Sequence, residues 1–185
     1  LVYVNGGSLK VGGTVGATNA LQNMALTNAT LTFDRGQNGN PAEPLWKVTN
    51  LAVNNVTANL EGAGFSVGQF SLIKYGTPSG DLNSVVLGSL PAHVEGYLLN
   101  NTGNSSIDLV ITNVVALKWN GETNGTPIGN WDISVTADWL TVGGGTPITY
   151  TQPSVPGDDV SFDDSAAGTT TVNLTTVLSP SSLNI

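Results

Sequence analysis

The side chains that could do chemistry in this chain are mostly aspartates. Four of them crowd into one stretch, Gly157-Asp-Asp-Val-Ser-Phe-Asp-Asp164. Calcium takes several oxygen ligands, which makes Asp158, Asp159, Asp163 and Asp164 a calcium candidate. Their spacing matches neither the EF-hand loop nor the Gly-rich nonapeptide repeats that bind calcium. The favoured reading is therefore a turn at Gly157-Asp158 and a solvent-facing corner at Asp163-Asp164, with Val160 and Phe162 turned inward. Carboxylates can also pair for glycoside or pectin chemistry. Asp81 with Glu95, or Asp132 with Asp138, would be such pairs, but a chain with 13 acids offers many by accident. His93 is the only histidine and cysteine is absent, so neither a zinc site nor a Ser-His triad has a second member. His93 is expected in an exposed loop. No catalytic residue and no cofactor is assigned.

Trp119, Trp131, Trp139 and Tyr150 form the other candidate set. Exposed rings stack on pyranose faces, so these four could make a glycan platform. Large rings also fill cores and cover loop corners. Aromatics are only 6% of the chain, which favours packing for each ring. The pattern for N-glycosylation occurs at Asn28, Asn55, Asn100, Asn104, Asn124 and Asn173, as expected by chance in a chain so rich in Asn and Thr.

Composition narrows the partners. Net charge is −8 with five Lys plus Arg, so no basic patch exists and nucleic acid is excluded as a partner. Only 10% of residues are charged, and surface polarity must come from Asn, Thr, Ser and Gly. Such side chains tile flat, repetitive β surfaces. Steady β-branched residues argue against disorder. No run reaches the length of a membrane span. Leu1 begins directly in strand-like sequence, so any export signal is expected to have been removed or to lie outside this segment.

The elements that must position these groups are short strands. Period-two alternation dominates, and one short helical candidate, residues 17–24, interrupts it. Strands are expected at 1–4 and 8–11, divided by a turn at Asn5-Gly-Gly7. More follow at 25–33, 46–51, 56–60, 70–75, 85–90, 96–99, 107–112 and 114–119. In 25–33 the inward positions are Leu26, Ala29 or Thr30, Leu31 and Phe33. The last part adds strands at 131–135, 148–151, 160–162, 171–174 and 182–185. Asn38-Gly39, Pro78-Ser-Gly80, Asn120-Gly121 and Pro156-Gly157 read as turns. Spacing between strands is irregular, which suits a solenoid with variable corner loops better than a ladder of hairpins. An antiparallel β-sandwich is the alternative.

Phe70-Ser-Leu-Ile-Lys-Tyr75, Leu90-Pro91, Leu98-Leu-Asn-Asn-Thr102 and Ser106-Ile-Asp-Leu-Val-Ile-Thr112 together resemble autotransporter-associated β-strand repeat proteins. The three-tryptophan segment, Phe162-Asp-Asp164, Thr171-Val-Asn-Leu174 and Leu178-Ser-Pro180 resemble the same family. The likeness covers residues 67–185. It implies an all-β, right-handed parallel β-helix and a non-enzymatic, extracellular, passenger-like role in a large bacterial surface protein. It implies no catalytic residues. The chain is then one solenoid segment over 1–185, with N-terminal rungs over 1–116 and a Trp-containing module over 117–185. Leu178-Ser-Pro-Ser-Ser-Leu-Asn-Ile185 reads on naturally into Leu1-Val-Tyr-Val4. The expectation is one repeat of a longer protein, or a subunit stacking end to end on its own copies. Carbohydrate binding is the second reading, and a polysaccharide-active β-helix enzyme is a third.

Overall fold

A computed structural model describes residues 1–12, 18–36, 38–62, 64–152 and 157–185. The chain is all-β, with a single 3-10 turn, Leu82–Ser84, as the only helical element among the described residues. It forms two compact units, Leu1–Val114 and Val115–Ile185.

The first unit is built from β1 (Val2–Gly12), β2 (Asn19–Asp34), β3 (Trp46–Glu61), β4 (Gly68–Gly80), β5 (Val85–Leu87), β6 (Val94–Asn101) and β7 (Ser106–Val114). The first three run parallel and in register, Val2 beside Met24 and Met24 beside Leu51. β3 continues parallel into both β4 and β5. The direction then reverses: β7 lies antiparallel to β4 and to β6. The sheet is therefore mixed and does not close on itself, and mixed pairing of this kind fits the sandwich alternative.

Burial explains why β2 and β3 are so long. In β3 the buried positions are Trp46 and Val48, then Leu51 and Val53, then Val56, Ala58 and Leu60. Alternation by two holds within each group and slips by one residue between groups. The first slip lies at Thr49-Asn50 and the second at Asn54-Asn55. β2 repeats the second slip, with Met24 and Leu26 buried before it and Ala29, Leu31 and Phe33 after it. The cause is a left-handed residue. Asn28 has φ 48° and Asn55 φ 54°, and Gly6 stands at the same rung position in β1 with φ 69°. Asn tolerates this region better than most residues and Gly adopts it freely. At this one line β2 and β3 each have one left-handed residue and β1 has two, Gly6 and Gly7, so all three strands turn together and the inward set is restored beyond it. The core this produces contains Met24, Leu26, Leu31, Phe33, Leu51 and Leu60, each 2% exposed or less. Burial of each such side chain stabilises the fold by about 1.5–3 kcal/mol.

Four local expectations are corrected. The helical candidate 17–24 is extended from Asn19 onward, as the start of β2, because its apolar residues Leu21 and Met24 pair in a parallel ladder with Val48 and Leu51; Ala17 lies outside the described residues. Asn5-Gly-Gly7 does not end a strand. β1 runs through it, and the left-handed φ values of Gly6 and Gly7 make it a bend. Similarly, 46–51 and 56–60 are one strand, and Pro78-Ser-Gly80 lies inside β4. Pro156, half of another expected turn, lies outside the described residues.

The second unit has shorter pieces: β8 (Leu117–Trp119), β9 (Glu122–Thr123), β10 (Thr126–Pro127), β11 (Asn130–Trp131), β12 (Trp139–Thr141), β13 (Gly144–Ile148), β14 (Gly157–Ser161), β15 (Asn173–Leu174) and β16 (Pro180–Asn184). Its main sheet runs β13-β12-β8-β14-β16. The β13-β12-β8 part is antiparallel and the β8-β14-β16 part parallel.

Candidate functional site

The second unit gathers the residues with the most chemical potential. β8 supplies Trp119, β11 supplies Trp131 and β12 supplies Trp139, which pairs with Trp119 across the ladder. Tyr150 follows β13 and Phe162 follows β14. The rings pack edge to face. Trp119 and Trp139 centroids are 5.0 Å apart at 81°, Trp131 and Trp139 5.1 Å at 66°, and Trp131 and Tyr150 5.4 Å at 83°. Such geometry sets the positive ring edge against the negative face. Trp119 donates Nε1–H to the Thr169 carbonyl at 2.7 Å, and the Tyr150 hydroxyl donates to Gln152 Oε1 at 2.8 Å. Gly157 has to be a glycine here, since a Cβ would lie 2.2 Å from the Tyr150 hydroxyl.

This arrangement decides the glycan-platform reading of these rings. Trp119, Trp131, Trp139 and Tyr150 are 2%, 5%, 0% and 0% exposed. They are the core of the unit, with Leu117 and Val160, and offer no open face to a sugar.

Asp138 lies in the same interior. It is fully buried, and among the described residues neither carboxylate oxygen has a hydrogen-bond partner. The indole N–H groups of Trp131 and Trp139 are unpartnered as well. Burial raises the Asp138 pKa to about 7, and the Asp132 charge adds to it. The Asp138 backbone, by contrast, is well used: its carbonyl accepts from the N–H of Asn120 at 2.9 Å and of Gly121 at 3.1 Å. Asp132 is engaged locally. Its Oδ1 accepts from the Val135 N–H at 3.2 Å and the Thr136 N–H at 2.8 Å, and its Oδ2 accepts from the Thr136 hydroxyl. One member of this pair is thus shut away from solvent and the other holds a turn.

The remaining candidates also have local duties. Asp158 accepts from the Thr151 N–H at 2.6 Å and from the Thr151 hydroxyl. Asp163 accepts from the Ser165 N–H at 2.8 Å, and this with the Ser165 hydroxyl holds its pKa below the usual carboxylate value. Asp163 and Asp164 face solvent and Val160 is buried. Among the described residues, no three His, Cys, Asp or Glu side chains converge as metal ligands. Asp81 caps the 3-10 turn by accepting from the Asn83 N–H at 2.9 Å, while Glu95 on β6 accepts from the Asn113 amide at 3.4 Å. His93 lies in the turn before β6 and is half-buried with φ 61°.

One cluster escaped the sequence reading. Asp108 on β7 is 2% exposed and accepts from Gln69 Nε2 at 2.7 Å, the Ser71 hydroxyl at 2.7 Å and Asn101 Nδ2 at 2.8 Å. Burial alone would raise its pKa; the hydrogen bonds from Ser106, Asn101, Gln69 and Ser71 outweigh that and lower it. The signal was a single charge inside the apolar run Ile107-Asp-Leu-Val-Ile111. A charge there must be buried, and a buried charge must be paired or hydrogen-bonded.

No family model matches the chain, and no curated protein or solved structure matches it.

Proposed function

We propose that this chain is a structural module of an exported bacterial surface protein or extracellular fibre, of the autotransporter-associated β-strand repeat kind. In this reading the first unit belongs to a right-handed parallel β-helix, and rungs add along one axis. The observation that carries the proposal is the in-register parallel stack β1-β2-β3, with its left-handed corner repeated at Gly6, Asn28 and Asn55. A stack of this form presents the backbone of β1 as an open edge, and an open edge accepts a further strand of the same shape. The partner proposed for that edge is another rung, from a neighbouring repeat or a second copy of the chain.

A non-enzymatic role is supported by the state of the acids. Asp138 has a proton affinity suited to acid–base chemistry near neutral pH, but a catalytic acid must come within hydrogen-bond reach of its substrate. At 0% exposure it does not.

Electron microscopy of native material tests the proposal. Long uniform fibres with a regular subunit repeat are expected; a discrete, soluble, unassembled monomer overturns end-to-end stacking.

A further inference from the structure

We propose that the first unit carries a binding groove for a linear anionic polysaccharide, centred on Lys47 and Lys74. This goes beyond the stacking role and does not depend on it.

The groove crosses three strands. Residues 20–22 of β2, 47–49 of β3 and 74–76 of β4 stand in register and line a trough of about 680 Å³. A second trough of about 440 Å³ shares Lys47 and Lys74. The two lysines thus line both troughs.

Their placement is electrostatically unusual. The whole chain has five cationic side chains and a net charge of −8, yet two of the five are direct register partners on adjacent strands. Neighbouring strands lie about 4.8 Å apart, and like charges directly opposite one another are destabilising. Glu43 relieves this only in part, through an exposed ion pair with Lys47 at 3.3 Å. Lys74 donates to Asn104 Oδ1 at 2.8 Å, a neutral oxygen. Among the described residues, no carboxylate forms an ion pair with Lys74. The pair therefore retains positive charge, which an external anion would balance.

The surroundings select the kind of anion. Val48 and Tyr75, which alternate with the lysines along their strands, are buried in the core, so a sugar would lie on the outer side with Ala20, Gln22, Lys47 and Thr49. Gln22 and Thr49 supply an amide and a hydroxyl for ring hydroxyls. Lys47 and Lys74 are register partners on adjacent strands, about 4.8 Å apart at the backbone, so two acidic groups of one chain can meet both ammonium groups. Two cations on an acidic protein are too few to hold a nucleic acid, whose binding rests on many phosphate contacts. The shared ligand chemistry is one negative group per sugar, carboxylate or sulfate.

Surface-immobilised polygalacturonate, dextran sulfate, neutral dextran and poly-glutamate, probed with the full chain at low salt, provide the test. Retention is expected on polygalacturonate or dextran sulfate, with loss above about 0.5 M salt; the tighter of the two identifies the charged group. Lys47→Gln combined with Lys74→Gln is expected to weaken retention roughly tenfold, as two exposed ion pairs would. Lys118→Gln, on the other unit, should leave it unchanged. A circular dichroism spectrum like that of the unaltered chain confirms that the double variant folds. The proposal is overturned by absence of retention on both anionic sugars, by equal retention on neutral dextran, by binding indifferent to the lysines, or by preference for poly-glutamate. Failure here would leave fibre formation untouched, and monomeric material would leave the groove untouched.

Discussion

Asn55 donates its side-chain amide to Asn28 Oδ1 at 2.8 Å, from one left-handed residue to another 27 positions earlier. The same spacing joins Asn50 to Asn23, also at 2.8 Å. Each Asn amide has both a donor and an acceptor, so such pairs can stack along an edge where the pleat is broken.

Asn55 has two separable roles: it accepts a strained φ and it forms the amide bond. Asn55→Gly keeps the first and loses the second, whereas Asn55→Ala loses both. Urea unfolding should rank stability as Asn, then Gly, then Ala. The alanine variant is expected to be about 1–2 kcal/mol less stable than the parent. Equal loss in the two variants would show that φ plays no part.

Asp138 makes the second unit sensitive to base rather than acid. Its folded pKa is raised from 3.8 to about 7, so between those values the folded state holds a proton that the unfolded state releases. Stability must then fall as pH rises through this window, with the full cost present above pH 7. The ceiling is on the order of 4 kcal/mol, at 1.36 per pKa unit. Asp138→Asn should flatten the profile and be the more stable form in alkaline buffer. Chemical denaturation across the window measures both effects.

Asp108 acts with the opposite sign. Its folded pKa lies below 3.8, so the stability it adds is fully present above that value and is lost as pH falls through the lowered one. Asp108→Ala strands the donors of Gln69, Ser71 and Asn101. At neutral pH it should destabilise the first unit by about 1–3 kcal/mol for each group left unsatisfied. The urea midpoints of the variant at neutral and at acid pH should lie closer together than those of the parent.

Trp139 is the hub of the aromatic core, in edge contact with Trp119 and Trp131 and fully buried. Trp139→Ala should cost about 3–5 kcal/mol, enough to unfold the second unit or to bring its melting transition down sharply. In the parent chain, tryptophan emission from this unit should resist quenching by acrylamide and be indifferent to added sugars. Strong quenching by either would contradict the buried placement.

Much of the first unit was legible in the sequence, because alternation by two reports burial directly. Leu26, Leu31 and Phe33 were expected inward and are, and the choice between Ala29 and Thr30 resolves to Ala29. What alternation could not convey is continuity through a slip. A left-handed residue shifts the pattern by one, which from sequence looks like the end of one strand and the start of another. Hence 46–51 and 56–60 were read as two strands where β3 is one. The pairs Asn23/Asn50 and Asn28/Asn55, identical in type and spacing, were the cue. In the second unit the pieces are too short for any period, so the register of β8 with β12 and β14 comes from tertiary packing of the rings. The acids were legible as residues but not as roles: whether a carboxylate caps a turn, like Asp81, or is buried without a partner, like Asp138, depends on contacts distant in sequence.

The left-handed corner fixes where length matters. From Val2 to its partner Met24 is 22 residues, from Asn19 to Trp46 is 27, and from Val56 to Val85 is 29. The ladder holds at each step although the count changes. Extra residues are absorbed between rungs, while one added or lost within a rung would turn every later side chain to the wrong face. The molecule is thus metered by place on the rung rather than by distance along the chain. A tag or loop graft must leave every rung intact, and a search for relatives must let its period drift.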